Sequence, residues 1–411
     1  MTQYSSPQTR LASRLVTCVC GVLFACFSFC YLYFYQSGYL AQFQYHFSHG
    51  ETTYQPLVGA VLITLFLLLV GFLCQRALRW PLRQRAVAWF PPAFLLAAVT
   101  SARLPELPGY GTGTPALPLL LVLLAFCLVL LLCLLHPDAT GERAPLSAYL
   151  SSNLFILCML FLMTGLLGYS SVPGHRELRV GQLLHEGKYA QAVDCYTDTA
   201  GLTPRFFALR AAALAHEGKL GECLFAYPVP AGVHTLMPAQ SDSLFVYDAL
   251  PALYSGMRAV PRRTGHFRER DFLRKALLAD SLPRPLALEY LLCSHLLHGD
   301  LRAFAQLLPL RHDTLPATLP RHYREALVLC RHFVTGAGQA GARHSHQAGA
   351  AWLHGSPEAA QAFSWPQDKE METRYRRYRQ LRMEASHGDL EAADSLSAYD
   401  GTYWQYYASH Y

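Results

Sequence analysis

"EGKYAQAVDCYTDTAGLTP", residues 186–204, decides how the C-terminal half of this chain is read. Gly187 follows a run with helical spacing, Tyr189 begins a second such run, and Pro204 opens a third. Glycine is favoured just past a helix end, where the backbone turns left-handed, and proline at a helix's first turn. The stretch predicts a helix, a tight turn and a second helix over 189–200.

The punctuation recurs. Pro173 and Gly187, Pro204 and Gly218, and Pro285 and Gly299 each stand fourteen residues apart, room for a three-turn helix and its cap. The turns read "EGKY", "EGKL", "HGDL" and, at Gly388, "HGDL" again. A histidine and an aspartate flanking a glycine also suit a fragment of a metal or acid-base site. The same slots accept glutamate and lysine, however, and only the glycine and the apolar residue two places later persist. A turn explains all four.

These units resemble the tetratricopeptide repeat, in which fixed offsets after the turn glycine carry apolar or aromatic, small and aromatic residues and then proline. Gly187, Tyr189, Ala192, Tyr196 and Pro204 fit those offsets. Gly218, Leu220, Cys223 and Tyr227 fit until Pro228 cuts the unit short, and Gly299, Leu301, Phe304 and Leu308, then Gly388, Leu390, Ala393 and Ser397, fit more loosely. Successive turn glycines lie 31, 81 and 89 residues apart, against about 34 in the regular array. The resemblance implies an irregular solenoid of helical hairpins over 171–411. Such hairpins stack because none can bury its apolar face alone, and their shared surface holds a protein or peptide. The function implied is a scaffold, without a cofactor, rather than an enzyme.

The first 170 residues obey different rules. They hold eight arginines, no lysine and four acids, while the remaining 241 residues hold 26 basic and 24 acidic side chains. A bilayer core needs roughly 20 apolar residues in a helix, and uncharged stretches at 15–35, 57–74, 115–136 and 146–169 approach or exceed that length. A fifth, 86–102, contains Pro91 and Pro92 and either crosses or re-enters. The fold expected is all-α: about five transmembrane helices in 1–170, then a soluble helical domain in 171–411.

Arginines flank alternate links. Arg10 and Arg14 precede the first stretch, and four more stand within 75–85, whereas 36–55 and 103–114 hold only Arg103. Positive loops stay in the cytoplasm, so five crossings put the N-terminus inside and everything after Tyr169 outside. The segment "LFAC" (23–26) outlines a lipoprotein cleavage box, but "FSFCYLYFY" behind it is no polar tether. An uncleaved anchor fits better. Ion pathways normally need charge within the spans, and these have none, so the expected partner there is membrane lipid and not a transported solute. The architecture is similar to that of uncharacterised bacterial membrane proteins, which implies a bacterial cytoplasmic membrane and a periplasmic C-terminal domain.

Other features carry little chemistry. A soluble half so nearly neutral has no electrostatic footprint for nucleic acid. Eight of the twelve cysteines lie in apolar runs and the rest lack paired spacing. "GAGQAG" (336–341) fits a dinucleotide fingerprint, yet helical spacing precedes it where a strand is needed. His344 and His346 lack companion ligands, so no metal is expected. "RYRRYRQLR" (374–382) predicts a solvated helix face or a contact for anionic head groups or an acidic partner. The aromatic end, 401–411, predicts a cap over a helix pair or a membrane boundary. No nucleophile elbow, zinc helix or phosphate loop is present, and no catalytic residue is assigned. The competing function is a membrane lipid or glycan transferase, for which Glu51 and Glu106 supply acids in the outer loops.

Overall fold

The structure, a computed structural model, describes residues 7–48, 50–77, 82–101, 118–124, 126–127, 145–198, 202–230, 232–233, 235–237, 256–257, 269–278, 285–310, 318–336 and 367–411. Every regular element among them is helical. The chain forms two compact units, Met1–Leu178 and Arg179–Tyr411.

In the first unit α1 (Pro7–Cys30) continues through a π-helical turn (Tyr31–Tyr35) into α2 (Ser37–Phe47). Next come α3 (Pro56–Ala77), a 3-10 segment (Leu82–Trp89), α4 (Phe90–Ser101) and α5 (Leu146–Leu167). Among the described residues three helices are long and apolar enough to cross a membrane, Leu11–Tyr35, Pro56–Ala77 and Leu146–Leu167, fewer than the five expected. The 115–136 stretch lies mostly outside the described residues, with 118–124 helical. Within the 86–102 stretch the α-helix begins only at Phe90 and has 12 residues, about 18 Å against a bilayer core of about 30 Å. Pro91 and Pro92 occupy the first turn, where no N–H is needed, so they start this helix rather than kink it.

Trp89 seats that segment. It is fully buried, stacks on Phe24 with centroids 4.8 Å apart and meets Phe72 edge-on at 5.8 Å. A Cβ on Gly71 would collide with the indole, and one on Gly21 would touch it at 3.5 Å. Small residues that let large neighbours approach closely are how helices associate in lipid. Asn153, buried within α5, satisfies backbone groups of the 3-10 segment: its Oδ1 accepts from the Ala86 N–H at 2.6 Å and its Nδ2 donates to the Leu82 carbonyl at 2.9 Å.

Contacts along their length fix the directions of these elements. Arg85 reaches the Ser13 carbonyl, Trp89 lies on Phe24, and the Thr100 hydroxyl is 3.4 Å from that of Tyr31. On α5, Asn153 meets Ala86, Thr164 meets the Ala93 carbonyl, and the Tyr169 N–H donates to the Thr100 carbonyl. The 3-10 segment with α4, α1 and α5 therefore all run the same way. Ser101 lies at the level of Tyr31, whereas α5 starts at the level of Leu82.

The second unit continues α6 (Val172–His185), followed by α7 (Tyr189–Asp194), α8 (Pro204–His216), α9 (Leu220–Cys223) and a 3-10 turn (Leu224–Ala226). Then come α10 (Glu269–Leu278), α11 (Pro285–Leu297), α12 (Leu301–Leu307) and α13 (Arg321–Gly336). The chain ends with α14 (Lys369–Ser386), α15 (Leu390–Ser395), a 3-10 turn (Leu396–Tyr399) and α16 (Tyr403–His410). α11 is mainly apolar and forms the centre, with Tyr290, Leu291, Leu292 and Leu296 fully buried and Ser294 and His295 buried among them, as burial around most of a helix requires.

Inserting bulk at the tryptophan seat tests this packing. Gly71→Val should lower the thermal midpoint of the detergent-solubilised protein, overpacking costing about 1–3 kcal/mol. Gly165→Val, whose added Cβ meets nothing within 4 Å, should leave the midpoint almost unchanged.

Candidate interaction surface

The four glycine turns form as the sequence predicts. Gly187, Gly218, Gly299 and Gly388 have φ of 70°, 68°, 64° and 94°, values that a Cβ makes costly. At each, the N–H after the glycine donates back to the carbonyl five residues earlier: Lys188 to Leu183 and Lys219 to Leu214 at 2.8 Å, Asp300 to His295 at 2.9 Å and Asp389 to Glu384 at 3.3 Å. The glycine N–H donates to the carbonyl three residues earlier in every case. These are Schellman motifs, which satisfy carbonyls a helix end leaves open.

The paired "HGDL" residues serve the turn. Nδ1 of His298 donates to the Ser294 carbonyl and Nδ1 of His387 to the Met383 carbonyl, both at 2.7 Å. The Asp300 carboxylate accepts the Ala303 N–H at 3.1 Å, and that of Asp389 accepts the Glu391 and Ala392 N–H groups at 3.0 and 3.2 Å. Each aspartate thus caps the next helix.

The second helices are shorter than expected, with 6, 4, 7 and 6 residues. The helix predicted over 189–200 ends at Asp194. Arg210 of α8, buried and fixed between the rings of Phe206 and Tyr227, explains the stop. Its Nη2 donates to the carbonyls of both Cys195 and Tyr196 at 2.7 Å, holding Tyr196 at φ 56°. An arginine fifteen residues downstream gave no local signal of this role.

The most elaborate polar node lies where α13 meets α16 and the 224–226 turn. Nε2 of His322 faces the Phe225 N–H at 3.2 Å. That N–H can only donate, so Nε2 holds the lone pair and the ring proton sits on Nδ1, donating to Glu325 Oε2 at 3.1 Å. The same oxygen accepts the Tyr403 N–H at 2.7 Å, and Oε1 accepts Nε of Arg321 at 2.9 Å. The Trp404 indole donates to the Glu325 carbonyl at 2.8 Å. Burial alone would raise the Glu325 pKa, but the bonds from His322 and Tyr403 and the charge of Arg321 outweigh it and hold the group below its usual range. A Glu–His pair can perform acid-base chemistry, yet both side chains here are fully buried. Their geometry joins helices.

The aromatic tail belongs to the same core. The hydroxyls of Tyr406 and Tyr411 donate to the Leu297 carbonyl at 2.7 and 2.8 Å, and that of Tyr403 to the Leu296 carbonyl at 3.0 Å. The tail caps the end of α11, beside the first "HGDL" turn, and also packs on the last helix pair, where Trp404 meets the rings of Tyr375 and Tyr378. A Cβ on Gly299 would meet the Tyr411 ring at 2.9 Å.

Another acid stands apart. Burial raises the carboxyl of Glu269 to about 7, despite a bond from the Met237 N–H at 2.9 Å and the nearby charge of Arg270.

The outer face of α14 is accessible. The tyrosines of "RYRRYRQLR" turn inward, since Met371, Tyr375, Tyr378 and Leu381 are buried, while Arg374, Arg376, Arg377, Arg379 and Arg382 are exposed. Arg374 lies over the Tyr399 ring, Arg376 is 3.8 Å from Glu372, and Arg382 donates to the Ala408 carbonyl. Arg377 and Arg379 make no hydrogen bond or ion pair among the described residues. Beside them Met383 and Leu390 are 60% and 85% exposed.

Other sequence candidates do not join this surface. Glu51 is exposed beyond α2, and Glu106, residues 337–341 of "GAGQAG", His344 and His346 lie outside the described residues. Among the described residues no three potential metal ligands converge.

Residues 248–410 match the profile of a family of unknown function, DUF6057. The match takes in Glu325, the exposed face of α14 and most of the aromatic tail, and excludes the membrane unit. No curated protein and no solved structure matches the chain.

Two measurements test the node and the isolated acid. Glu325→Ala leaves the N–H donors of His322 and Tyr403 buried and unpaired, so chemical denaturation should show a loss of about 3 kcal/mol, with protease cleavage appearing first near α16. Because the folded pKa of Glu269 lies above its unfolded value, its contribution is fully present below about pH 4.5 and lost as pH rises through about 7. The thermal midpoint of the wild type should therefore contain a component that falls over that window, and Glu269→Gln should remove it.

Proposed function

We propose that this chain is a five-span protein of a bacterial cytoplasmic membrane whose tetratricopeptide-like unit, on the exoplasmic side, is a scaffold that holds a protein or peptide. The observation that carries the scaffold reading is the use made of the ionisable groups in the second unit. Glu325, His322 and Arg210 are buried and bind helices to one another, while the exposed side chains of the last hairpin form a charged surface with apolar residues within it. Such a surface suits recognition more than catalysis.

The directions of the membrane elements support five crossings. α4 ends at the level of Tyr31 while Asn153 of α5 stands at the level of Leu82, so the described elements on either side of the link begin and end at opposite levels of the unit, which supports one more crossing. The apolar stretch 115–136 is the segment suited to make it. After the kink at Gln84, the 3-10 segment and α4 run beside α1 from the level of Ser13 to that of Tyr31, about 27 Å of helix, which supports the outward crossing. Arg85, beside Ser13, and Arg76, in the last turn of α3, mark the cytoplasmic end.

Reporter fusions test the topology: sites after Tyr169 and within 75–85 should report opposite compartments, and the same compartment would refute five spans. Crosslinking and affinity capture of the full chain from its native membrane should enrich a defined polypeptide partner. Recovery of none across several growth conditions would overturn the scaffold.

A further inference from the structure

We propose that Glu269, the first residue of α10, is a proton-operated latch: as a neutral acid it holds the backbone of residues 235–237 in the core, and on ionising it lets that segment part from α10. This goes beyond the scaffold reading and does not depend on it. Glu269 is 4% exposed. Its Oε2 accepts the Met237 N–H at 2.9 Å, and the Leu236 N–H bonds to the same carboxyl. Leu236 and Met237 have no exposed surface and share one apolar core with Leu273 of α10 and with α11. A single side chain thus ties a non-helical stretch of backbone to the start of a helix.

The latch has no counter-charge in contact with it. Glu269 forms no ion pair among the described residues. Arg270 beside it lies 3.7 Å from Asp300, which also takes Nδ1 of His295 at 3.2 Å. On α10 Asp271 is exposed, on α11 Glu289 accepts the Tyr323 hydroxyl, and residues 235–237 and 256–257 contain no titratable side chain. An ionised carboxylate sealed in this way is costly to keep. Neutrality suits the site better, because the Ser294 hydroxyl stands beside the carboxyl and both it and Oε1 are shut off from water without a hydrogen bond. A protonated carboxyl gains a donor that the serine oxygen can accept, while its carbonyl oxygen keeps the backbone bonds. Ionisation removes that donor and leaves a charge in the core, so hydration of the carboxylate competes with the closed latch. With the folded pKa raised by burial to about 7 from an ordinary 4.5, the latch is tightest below about pH 4.5, loosens as pH rises, and is loosest above about 7.

Peroxide oxidation of methionine to the sulfoxide, a reaction whose own rate varies little with pH, reads the latch because Met237 is covered while it is closed. The test uses the full chain in detergent, with sulfoxide at Met237 followed by mass spectrometry. Between pH 5 and pH 8 the oxidation should accelerate on the order of 50-fold. Hydrogen exchange in α11, corrected for the intrinsic effect of pH, should stay slow at both, which separates local opening from global unfolding. Glu269→Gln, whose amide can accept from Met237 and donate to Ser294 at every pH, should keep α11 protected and Met237 slow throughout. Wild-type oxidation indifferent to pH, an equal acceleration in Glu269→Gln, or loss of α11 protection in step with Met237 would each overturn the proposal. Capture of a partner from the membrane is read separately, so the scaffold reading stands or fails on its own experiment.

Discussion

A carboxylate sealed away from water organises the C-terminal unit. Glu325 has no solvent to ionise into, so its charge is tolerable only while His322, Tyr403 and Arg321 all bring donors to it. Those donors belong to α13 and α16, and His322 in turn holds the Phe225 backbone. The demand of one buried charge thus fixes where the last helix docks and how the turn after α9 ends. With α16 docked, its tyrosine hydroxyls reach the open carbonyls of α11, and the central helix is capped by the end of the chain. Burial and hydrogen bonding are one requirement here.

The membrane unit answers the same requirement with fewer polar groups. An irregular 3-10 segment among apolar helices is held by Asn153, which serves its backbone, and by Trp89, which fills the groove at Gly21 and Gly71. At the other end Gln36 bridges the Tyr31 hydroxyl and the Tyr169 carbonyl at 2.9 and 2.8 Å. A few uncharged polar side chains suffice because the helices supply most of their own bonds.

Legibility followed the range of the interactions. The four turns were readable because their causes are local: a glycine at positive φ, a proline in a first turn, an aspartate capping the helix that follows. The inward face of α14 was readable in principle from the helical spacing of Met371, Tyr375, Tyr378 and Leu381. The end of α7 was not, because Arg210, which draws the Cys195 and Tyr196 carbonyls out of the helix, comes from another hairpin. The Glu325 node escaped notice for the same reason, since no spacing within residues 320–330 announces Phe225 or Tyr403.

By itself the sequence determined the division into an apolar and a polar half, the all-helical character, the positions of the turns and the ends rich in arginine. These depend on composition and on neighbours a few residues apart, which the order of residues states directly. Tertiary structure alone decided where α7 stops and how Glu325 is partnered, because these depend on groups 14 to 97 residues away in the chain. The outcome most relevant to function is of this second kind. "RYRRYRQLR" could have been all surface or all interface, and only the docking of its tyrosines against Trp404 and Tyr399 left the arginines facing outward.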